Sequence, residues 1–266
     1  MAESNPIHFF DIVSTLPVHE KSWSPSTLKT RMVLNFKGIP YTQSWVSYPD
    51  IAPLLKAHGV APGESKFMPY TLPAIAHEGL KSSTPDGVLM DSDPIAMYID
   101  KLYPSPPLFP SGDASYALVV AVSKSLSVCR EALVGLVIPN VPSHLDERGR
   151  EYFNRTRAEW FGKPLSEVKA KDEEVERLWQ ILETEYMTFV KMLKGKEGKN
   201  GLFLEGERAG YADITIAAML AFIQRFAKGT FEKLMALGDG ELKRLYEACL
   251  PWLEGQGDEK EWPIPQ

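Results

Sequence analysis

Cysteine is scarce in this chain of 266 residues, which carries only Cys129 and Cys249. The two are far apart and form no C-x-x-C pair, so the sequence lacks the thiols of a zinc site or of a dithiol redox centre. A disulfide framework is disfavoured for the same reason, and a reducing compartment fits this composition. We therefore expect no metal cofactor and a fold that depends on its hydrophobic core.

Long hydrophobic runs and clusters of basic residues are also missing. No apolar run approaches the ~20 residues that cross a bilayer, and residues 1–6 lack the basic and apolar regions of a secretory signal. The net charge is −6, which disfavours nucleic acid or an anionic membrane surface as the main partner. Apolar residues make up 44% and charged residues 24% of the chain, as in ordinary globular proteins. These features favour a soluble protein of the cytoplasm with one large domain or two modest ones.

Strand-like and helix-like segments alternate over the first part of the chain. Short β-branched and aromatic runs predict strands, and apolar residues at helical spacing, such as Leu28, Met32 and Phe36, predict helices. Gly38 and Pro40 are expected to end the first helix, and a turn is expected at residues 85–87. The predicted order is β-α-β-α-β-β-α, with strands at 7–13, 41–48, 71–76 and 88–90 and with later helices at 50–58 and 95–102.

Prolines are dense at positions 104–110, where the sequence changes character. Such a segment suits a stiff connection between domains. No convincing strand pair follows it, whereas apolar stripes at helical spacing continue. We predict an α/β domain over 1–103, a linker over 104–111 and an all-helical domain over 112–266, with helices at 116–137, 145–161, 175–193 and 214–226.

Ser24-Pro25 stands at the start of the first predicted helix. Serine is a favoured N-cap and proline a favoured first helical residue, so helix capping explains the pair without any chemistry. The position also has a chemical use, because a helix N-terminus carries partial positive charge and a hydroxyl there can donate a hydrogen bond to a thiolate. Helix N-termini lower the pKa of a thiol from about 8.5 toward neutrality. Both interpretations stay open at this point.

Two further motifs lie at the ends of predicted elements. Leu72-Pro73 falls in the third strand, where a proline cannot donate a ladder hydrogen bond. A cis peptide there would leave the Leu72 backbone free to pair with another extended peptide, and a bulge is the alternative. In Asp91-Ser92, Ser92 suits the N-cap of the following helix. It could instead receive a ligand carboxylate while Asp91 pairs with a ligand ammonium group.

The order of elements and these motifs resemble the glutathione transferase family across essentially the whole chain. The segments that carry the resemblance are WSPST at 23–27, LPAI at 72–75, MDS at 90–92 and GYADITIA at 210–217. The runs at 45–51 and 68–73 are similar to the fungal etherase-related classes called FuA. The resemblance implies an α/β thioredoxin-like N-terminal domain, an all-α C-terminal domain and glutathione as the co-substrate.

The resemblance also implies roles for the matched residues. Ser24 would activate the glutathione sulfur. Leu72 would bond the cysteinyl backbone of glutathione beside a cis Pro73. Asp91 and Ser92 would hold the γ-glutamyl end. Because no cysteine occupies positions 23–26, the thiol–disulfide exchange of the omega class is disfavoured.

Two positions of the resemblance depart from the family pattern. The group that holds the glycine carboxylate of glutathione is not matched, and its candidates are Lys56, His58 and Lys66. The buried helix of the second domain begins with Gly210 in place of a polar cap, which costs only a few tenths of a kcal/mol. Asp213 can still bond back to a main-chain N–H, as in a capping box.

The second substrate is expected between Ser24 and the second domain, in the stretch 116–137 and around Trp160, where aromatic side chains can hold flat apolar compounds. One hypothesis is a detoxification enzyme whose glutathione thiolate attacks an electrophilic carbon, a hydroperoxide or an aryl ether. Another is a ligandin-type protein that binds and transports aromatic compounds such as plant phenolics with little turnover. A third is a non-catalytic scaffold. The resemblance further implies a homodimer, with the first domain of one subunit against the second domain of the other.

Overall fold

The computed structural model describes residues 6–81, 86–255 and 257–263. Its strands are β1 (Ile7–Ile12), β2 (Tyr41–Val46), β3 (Ala74–Ala76), β4 (Val88–Met90) and β5 (Asp258–Glu259). They form one mixed sheet in the order β4-β3-β1-β2-β5. β2 is parallel to β1 and β5, whereas β3 is antiparallel to β1 and β4.

Helices alternate with the strands at first and then follow one another. The first three are α1 (Pro25–Phe36), α2 (Tyr48–Ala57) and α3 (Ser92–Leu102). The later ones are α4 (Asp113–Val128), α5 (Arg130–Leu136), α6 (Glu147–Phe161), α7 (Leu165–Val168), α8 (Glu173–Lys194), α9 (Tyr211–Phe226), α10 (Lys228–Met235) and α11 (Glu241–Glu254). An α/β part followed by a helical part, as the sequence predicts, is confirmed.

Three predicted strands are too long at one end, β1 by a single residue and β2 and β3 by more. β2 stops at Val46 because Ser47 is the extended N-cap of α2 and a proline occupies the first turn of that helix. β3 begins only at Ala74. Pro73 therefore precedes the strand, and the sheet does not lose a donor to it.

The helical part also differs from its predicted outline. The segment predicted as one helix over 116–137 is two helices that meet at Cys129. Val175 is 37% exposed, so the buried stripe of α8 begins with Leu178. Pro85, in the predicted turn, lies outside the described residues. α1 does end before Gly38, whose φ of 63° favours glycine.

The sheet part and the helical part are packed together through α1 and α9. α9 is buried over almost its whole length, as its continuous apolar sequence predicts. Trp23, two residues before the start of α1, has its ring centroid 6.3 Å from that of Phe222 and 5.4 Å from that of Phe226. These aromatic contacts fix the beginning of α1 against α9.

A buried carboxylate holds the beginning of α9. The backbone N–H of Gly210 donates to Asp213 Oδ2 at 2.9 Å, and the N–H of Leu204 donates to Asp213 Oδ1 at 2.8 Å. Asp213 is 1% exposed. Asp213 therefore bonds back to the chain as predicted, and it also fixes the segment that precedes the helix.

A buried ion pair joins α1 to the sheet. Arg31 Nη2 donates to Asp11 Oδ2 at 2.9 Å, and both side chains are fully buried. Arg31 Nη1 donates to the hydroxyl of Tyr41 and to the carbonyl of Gly255, each at 3.2 Å. One side chain of α1 thus contacts β1, β2 and the chain after α11.

We predict that Asp213→Ala lowers the free energy of unfolding by about 2 to 4 kcal/mol, because it leaves two backbone donors, one buried and one partly buried, without acceptors. The exposed Asp113 stands in the first turn of α4. Asp113→Ala is therefore the matched control and should cost less than about 0.5 kcal/mol. Urea unfolding followed by circular dichroism measures both. Equal losses in the two variants would contradict the role given to Asp213.

His8 lies in β1 and is 3% exposed. Its Nδ1 is 2.7 Å from Thr42 Oγ1 and its Nε2 is 2.8 Å from Ser44 Oγ. Burial, assisted by the charge of Lys260, lowers the pKa of His8 from 6.5 to about 4. The folded chain therefore holds this ring neutral in mildly acidic solution.

From this shift we predict a loss of stability in acid. The unfolded chain binds a proton at His8 near pH 6.5 and the folded chain does not. The stability that neutral His8 contributes is therefore fully present above that pH. The free energy of unfolding should fall by up to about 3 kcal/mol as the pH decreases from about 6.5 to about 4. Urea unfolding at several pH values tests this, with His8→Gln as the comparison. If both proteins respond to pH in the same way, His8 is not the group responsible.

Candidate active site

Two cavities meet at the beginning of α1. The larger has a volume of about 530 Å³ and extends toward α4, α5, α6 and α9. The smaller has a volume of about 340 Å³ and lies toward the loop that precedes β3. Both are lined by Ser24, Ser26, Tyr48, Met68 and Arg157. A molecule bound in one cavity would therefore touch a molecule bound in the other at these five residues.

Ser24 is the N-cap of α1 in the backbone sense. It is extended, with φ −67° and ψ 133°, Pro25 follows at the first helical position, and the Ser24 side chain makes no capping hydrogen bond. The Ser24 carbonyl accepts from the N–H of Leu28 at 2.8 Å and from Thr27 Oγ1 at 3.2 Å. Helix capping therefore accounts for the backbone conformation of Ser24, and the Ser24 hydroxyl remains available to a ligand. Ser26 also lines both cavities.

The Leu72-Pro73 peptide bond is cis, as the family resemblance implies. Leu72 and its neighbour Thr71 line the smaller cavity, and the Pro73 carbonyl accepts from the N–H of Asp91 at 3.1 Å. Pro73 itself is not among the lining residues. The segment before β3 is thereby held beside the chain that leaves β4.

Asp91 lies between β4 and α3 in a backbone conformation that is rare for residues other than glycine, with φ 79°. Such strained positions cluster at functional sites. The side chain is exposed in the smaller cavity, where its Oδ1 accepts from Thr71 Oγ1 at 3.2 Å. Ser24, Leu72 and Asp91 are therefore brought together around one cavity.

Ser92 departs from its predicted place. Asp91 occupies the N-cap of α3 and Ser92 is the first helical residue, one position later than the sequence predicts. Ser92 is 7% exposed and does not line the cavity. The neighbouring Asp93 instead accepts from the Tyr211 hydroxyl at 2.8 Å.

The three basic candidates for a ligand carboxylate are separated by the fold. Lys56 lines the smaller cavity, with its Nζ 5.3 Å from the centre of the Tyr70 ring. His58 accepts from the Trp262 indole at 3.2 Å and lies outside the cavity, as does Lys66. Of the three, only Lys56 shares the cavity with Ser24.

The larger cavity is mostly apolar and aromatic. The stretch 116–137 contributes Ser123, Leu126, Ser127, Arg130, Leu133 and Val134. Trp160 also lines it, with its ring stacked on that of Phe161 at 5.6 Å and on that of Phe67 at 5.9 Å. These walls suit a flat apolar molecule with a few polar contacts.

Tyr48 and Arg157 border both cavities and were missed by the sequence reasoning. Desolvation raises the pKa of Tyr48 to about 12. Arg157 lies one helical turn after Phe153 and one before Phe161, so it interrupts an aromatic face of α6. A charged residue at an apolar position of a helical stripe is the signal that could have revealed it.

Neither cysteine has the properties of a nucleophile. Both are buried and unpaired. Burial raises the pKa of the Cys129 thiol to about 12 and that of the Cys249 thiol well above its ordinary value.

Within residues 6–81, 86–255 and 257–263, no three His, Cys, Asp or Glu side chains are grouped to hold a metal. No helix among those residues is long and apolar enough to cross a membrane.

The fold and the position of the paired cavities define the class of protein. Residues 23–102 match the model of the glutathione S-transferase N-terminal domain, and residues 117–252 match that of the glutathione S-transferase C-terminal domain. The chain belongs to the glutathione S-transferase family and has its fold, a thioredoxin-like domain with a helical domain.

Three relatives place the chain within the family. It is 51% identical over 267 residues to the glutathione S-transferase-like protein ustS of Aspergillus flavus, a match that covers 99% of this chain and 97% of that protein. A Ceriporiopsis subvermispora glutathione S-transferase, solved in complex with glutathione, is 32% identical with a TM-score of 0.79 and covers 93% of this chain and 98% of its own. Transferase GSTFuA2 of Phanerochaete chrysosporium is 31% identical with a TM-score of 0.80, covering 95% and 100%. The resemblance to fungal FuA transferases is confirmed.

Proposed function

We propose that the chain is a serine-type glutathione transferase in which Ser24 stabilises the glutathione thiolate. The observation that carries this proposal is the Ser24 hydroxyl, which is not used for capping and lies where the two cavities meet. The N-terminus of α1 adds partial positive charge at the same point. A sulfur bound there would be more acidic and would face the larger cavity.

Glutathione would occupy the smaller cavity. The Leu72 backbone would bond the cysteinyl residue beside Pro73, Asp91 would receive the γ-glutamyl ammonium group, and the Ser92 N–H at the start of α3 would receive the γ-glutamyl carboxylate. Lys56 is the basic group available for the glycine carboxylate. The Ceriporiopsis subvermispora relative was solved with this tripeptide bound, which supports the choice of ligand.

The reaction would use the larger cavity for the electrophile. The thiolate sulfur attacks an electrophilic carbon of an aromatic compound or aryl ether, the carbon–sulfur bond forms, and the leaving group departs with its electron pair. With a hydroperoxide, the thiolate attacks the terminal oxygen and the alkoxide leaves. The protein contributes ionisation of the thiol, proximity and orientation.

Ligandin-type binding of aromatic compounds, such as plant phenolics, is the second candidate function. The stacked rings of Trp160 and Phe161, which line the larger cavity, favour it. Turnover separates the two functions. Tight binding of an aromatic ligand without product at saturating glutathione would indicate ligandin function, and glutathione-dependent product formation would indicate a detoxification enzyme.

We further propose the domain division 1–103, 104–111 and 112–266 and a cytoplasmic location. The division is supported by the end of one family match at residue 102 and the start of the other at residue 117. The location is supported by the two unpaired cysteines, which suit a reducing compartment.

We predict that Ser24→Ala raises the apparent pKa of bound glutathione by about one to two units, which is about 1.4 to 2.7 kcal/mol of lost thiolate stabilisation. Thiolate absorbance measured across pH at saturating glutathione gives this pKa directly. Ser26→Ala is the matched control, since Ser26 lines the same two cavities two residues away. If Ser26→Ala raises the apparent pKa of bound glutathione and Ser24→Ala does not, the thiolate is stabilised by Ser26 and not by Ser24.

A homodimer is the proposed assembly. Large apolar side chains are exposed on α3 and α4, where Met97 is 49%, Tyr116 51% and Val120 54% exposed. We predict that Val120→Glu converts a dimer to a monomer in sedimentation velocity, because a charge cannot be buried unpaired in such a contact. Val18→Glu is the control, at a residue that is 73% exposed and lies outside these helices. A wild-type protein that sediments as a monomer would contradict the proposal.

A further inference from the structure

The charged groups around the larger cavity all have the same sign. Lys29, Arg130 and Arg157 line it, and within the described part of the chain no aspartate or glutamate does. The whole protein carries a net charge of −6, so the composition does not account for this local excess of cations. A low-dielectric cavity with cationic walls attracts anions.

Arg157 is the most informative of these cations. It is 8% exposed, and its Nη1 donates to Thr156 Oγ1 at 3.0 Å. Among the residues that the structure describes, no carboxylate lies within ion-pair distance of it. Its guanidinium carbon lies 4.3 Å from the centre of the Phe153 ring and 5.6 Å from that of the Tyr48 ring. A buried charge costs free energy unless an opposite charge is bound.

Lys29 differs from the two arginines because its charge is already compensated. Its Nζ donates to Asp93 Oδ1 at 2.8 Å. Arg130 is exposed, with its guanidinium carbon 5.3 Å from the Trp160 ring centre, and that of Arg157 lies 5.8 Å from the same ring centre. The indole of Trp160 is thus contacted by two guanidinium groups, and either can donate two parallel hydrogen bonds to a carboxylate.

Trp23 adds to the aromatic wall of the same cavity. It is 3% exposed and lines the larger cavity together with Phe153, Trp160, Phe161 and Phe222. The cavity therefore combines aromatic walls with two arginines that, among the described residues, have no ion-pair partner.

We propose that the second substrate is an aromatic electrophile that carries a carboxylate, bound by Arg157 with a contribution from Arg130, which lies near the same Trp160 ring. The flat ring of the substrate lies among the aromatic walls, and its carboxylate supplies the acceptors that these donors lack. This inference rests on the proposed transferase function. It adds a chemical class to a site that otherwise accepts any flat apolar molecule.

The test compares two electrophiles that differ only in charge, 4-chloro-3,5-dinitrobenzoate and 4-chloro-3,5-dinitrobenzamide. In both, the thiolate sulfur bonds to the ring carbon and chloride leaves with its electron pair. We expect kcat/KM, divided by the uncatalysed rate constant, to be at least about tenfold higher for the benzoate. In Arg157→Gln this preference should fall by about tenfold or more, and Arg157→Lys should restore part of it.

Two further variants complete the comparison. Arg130→Gln should lower the benzoate preference by about twofold to fivefold, because its exposed charge is screened by solvent. The Arg130→Gln variant keeps the proposal testable if the Arg157 variants fail to fold. Lys196→Gln, at an exposed loop residue outside both cavities, is the control for general loss of positive charge. An unchanged preference in both arginine variants would overturn the proposal.

Arg157 also borders the smaller cavity, so a role in thiolate stabilisation must be distinguished. Such a role would lower both rates equally and raise the apparent pKa of bound glutathione in Arg157→Gln, and that result would overturn the carboxylate assignment. Binding of the unreactive pair 2-naphthoate and 2-naphthamide, measured by calorimetry, requires no turnover. Tighter binding of 2-naphthoate, lost in Arg157→Gln, supports the proposal even if the wild type shows no glutathione-dependent reaction. Equal binding of the pair overturns it.

Discussion

The candidate active site depends on the buried ion pair between Arg31 and Asp11, because that pair fixes the position of α1 on the sheet. Arg31 is anchored to β1 through Asp11, to β2 through Tyr41 and to the C-terminal segment through Gly255. Replacing such a pair with apolar residues can leave stability unchanged, whereas removing one partner costs several kcal/mol because a charge remains buried. Its importance here is geometric. The helix that it fixes presents Ser24 at the boundary of the two cavities, and a hydroxyl can stabilise a thiolate only within hydrogen-bond distance of the sulfur.

The helical part, which forms most of the larger cavity, is positioned by a different set of contacts next to Ser24. Trp23 packs against Phe222 and Phe226 of α9, so the residue beside Ser24 is anchored in the helical part. The start of α9 is in turn fixed by Asp213, a buried residue that accepts from two backbone N–H groups. The ion pair orients α1 on the sheet, and the aromatic contact orients the helical part on α1. Ser24 therefore lies at both cavities because the sheet part packs on α1 and the helical part packs on the adjacent Trp23.

The sequence predicts those features that local patterns determine. The alternation of β1, α1 and β2, the burial of α9 and the Ser24-Pro25 helix start follow from periodicity and from the residues that begin and end helices. β5 was missed because Asp258–Glu259 is a short polar segment that pairs only after the chain returns to β2, with Lys260 N–H donating to the Gln43 carbonyl at 2.8 Å. The break at Cys129 was missed because apolar periodicity continues across it. Arg157 was missed because its significance depends on its neighbours in the folded chain, none of which is an ion-paired carboxylate among residues 6–81, 86–255 and 257–263.

Electrostatics links the two proposals for this site. A glutathione thiolate and a substrate carboxylate are both anions, and two unit charges about 6 Å apart repel by about 3 kcal/mol at an effective dielectric constant of about 20. Without compensation, stronger ionisation of the thiol would weaken the binding of an acidic substrate. Arg157 borders both cavities, and within the described part of the chain it forms no ion pair with a carboxylate. It can therefore offset the repulsion from the side of the substrate while the N-terminus of α1 stabilises the sulfur. Because the N-terminus of α1 stabilises the thiolate and Arg157 binds the carboxylate, the same site can favour the reactive form of glutathione and select an acidic second substrate.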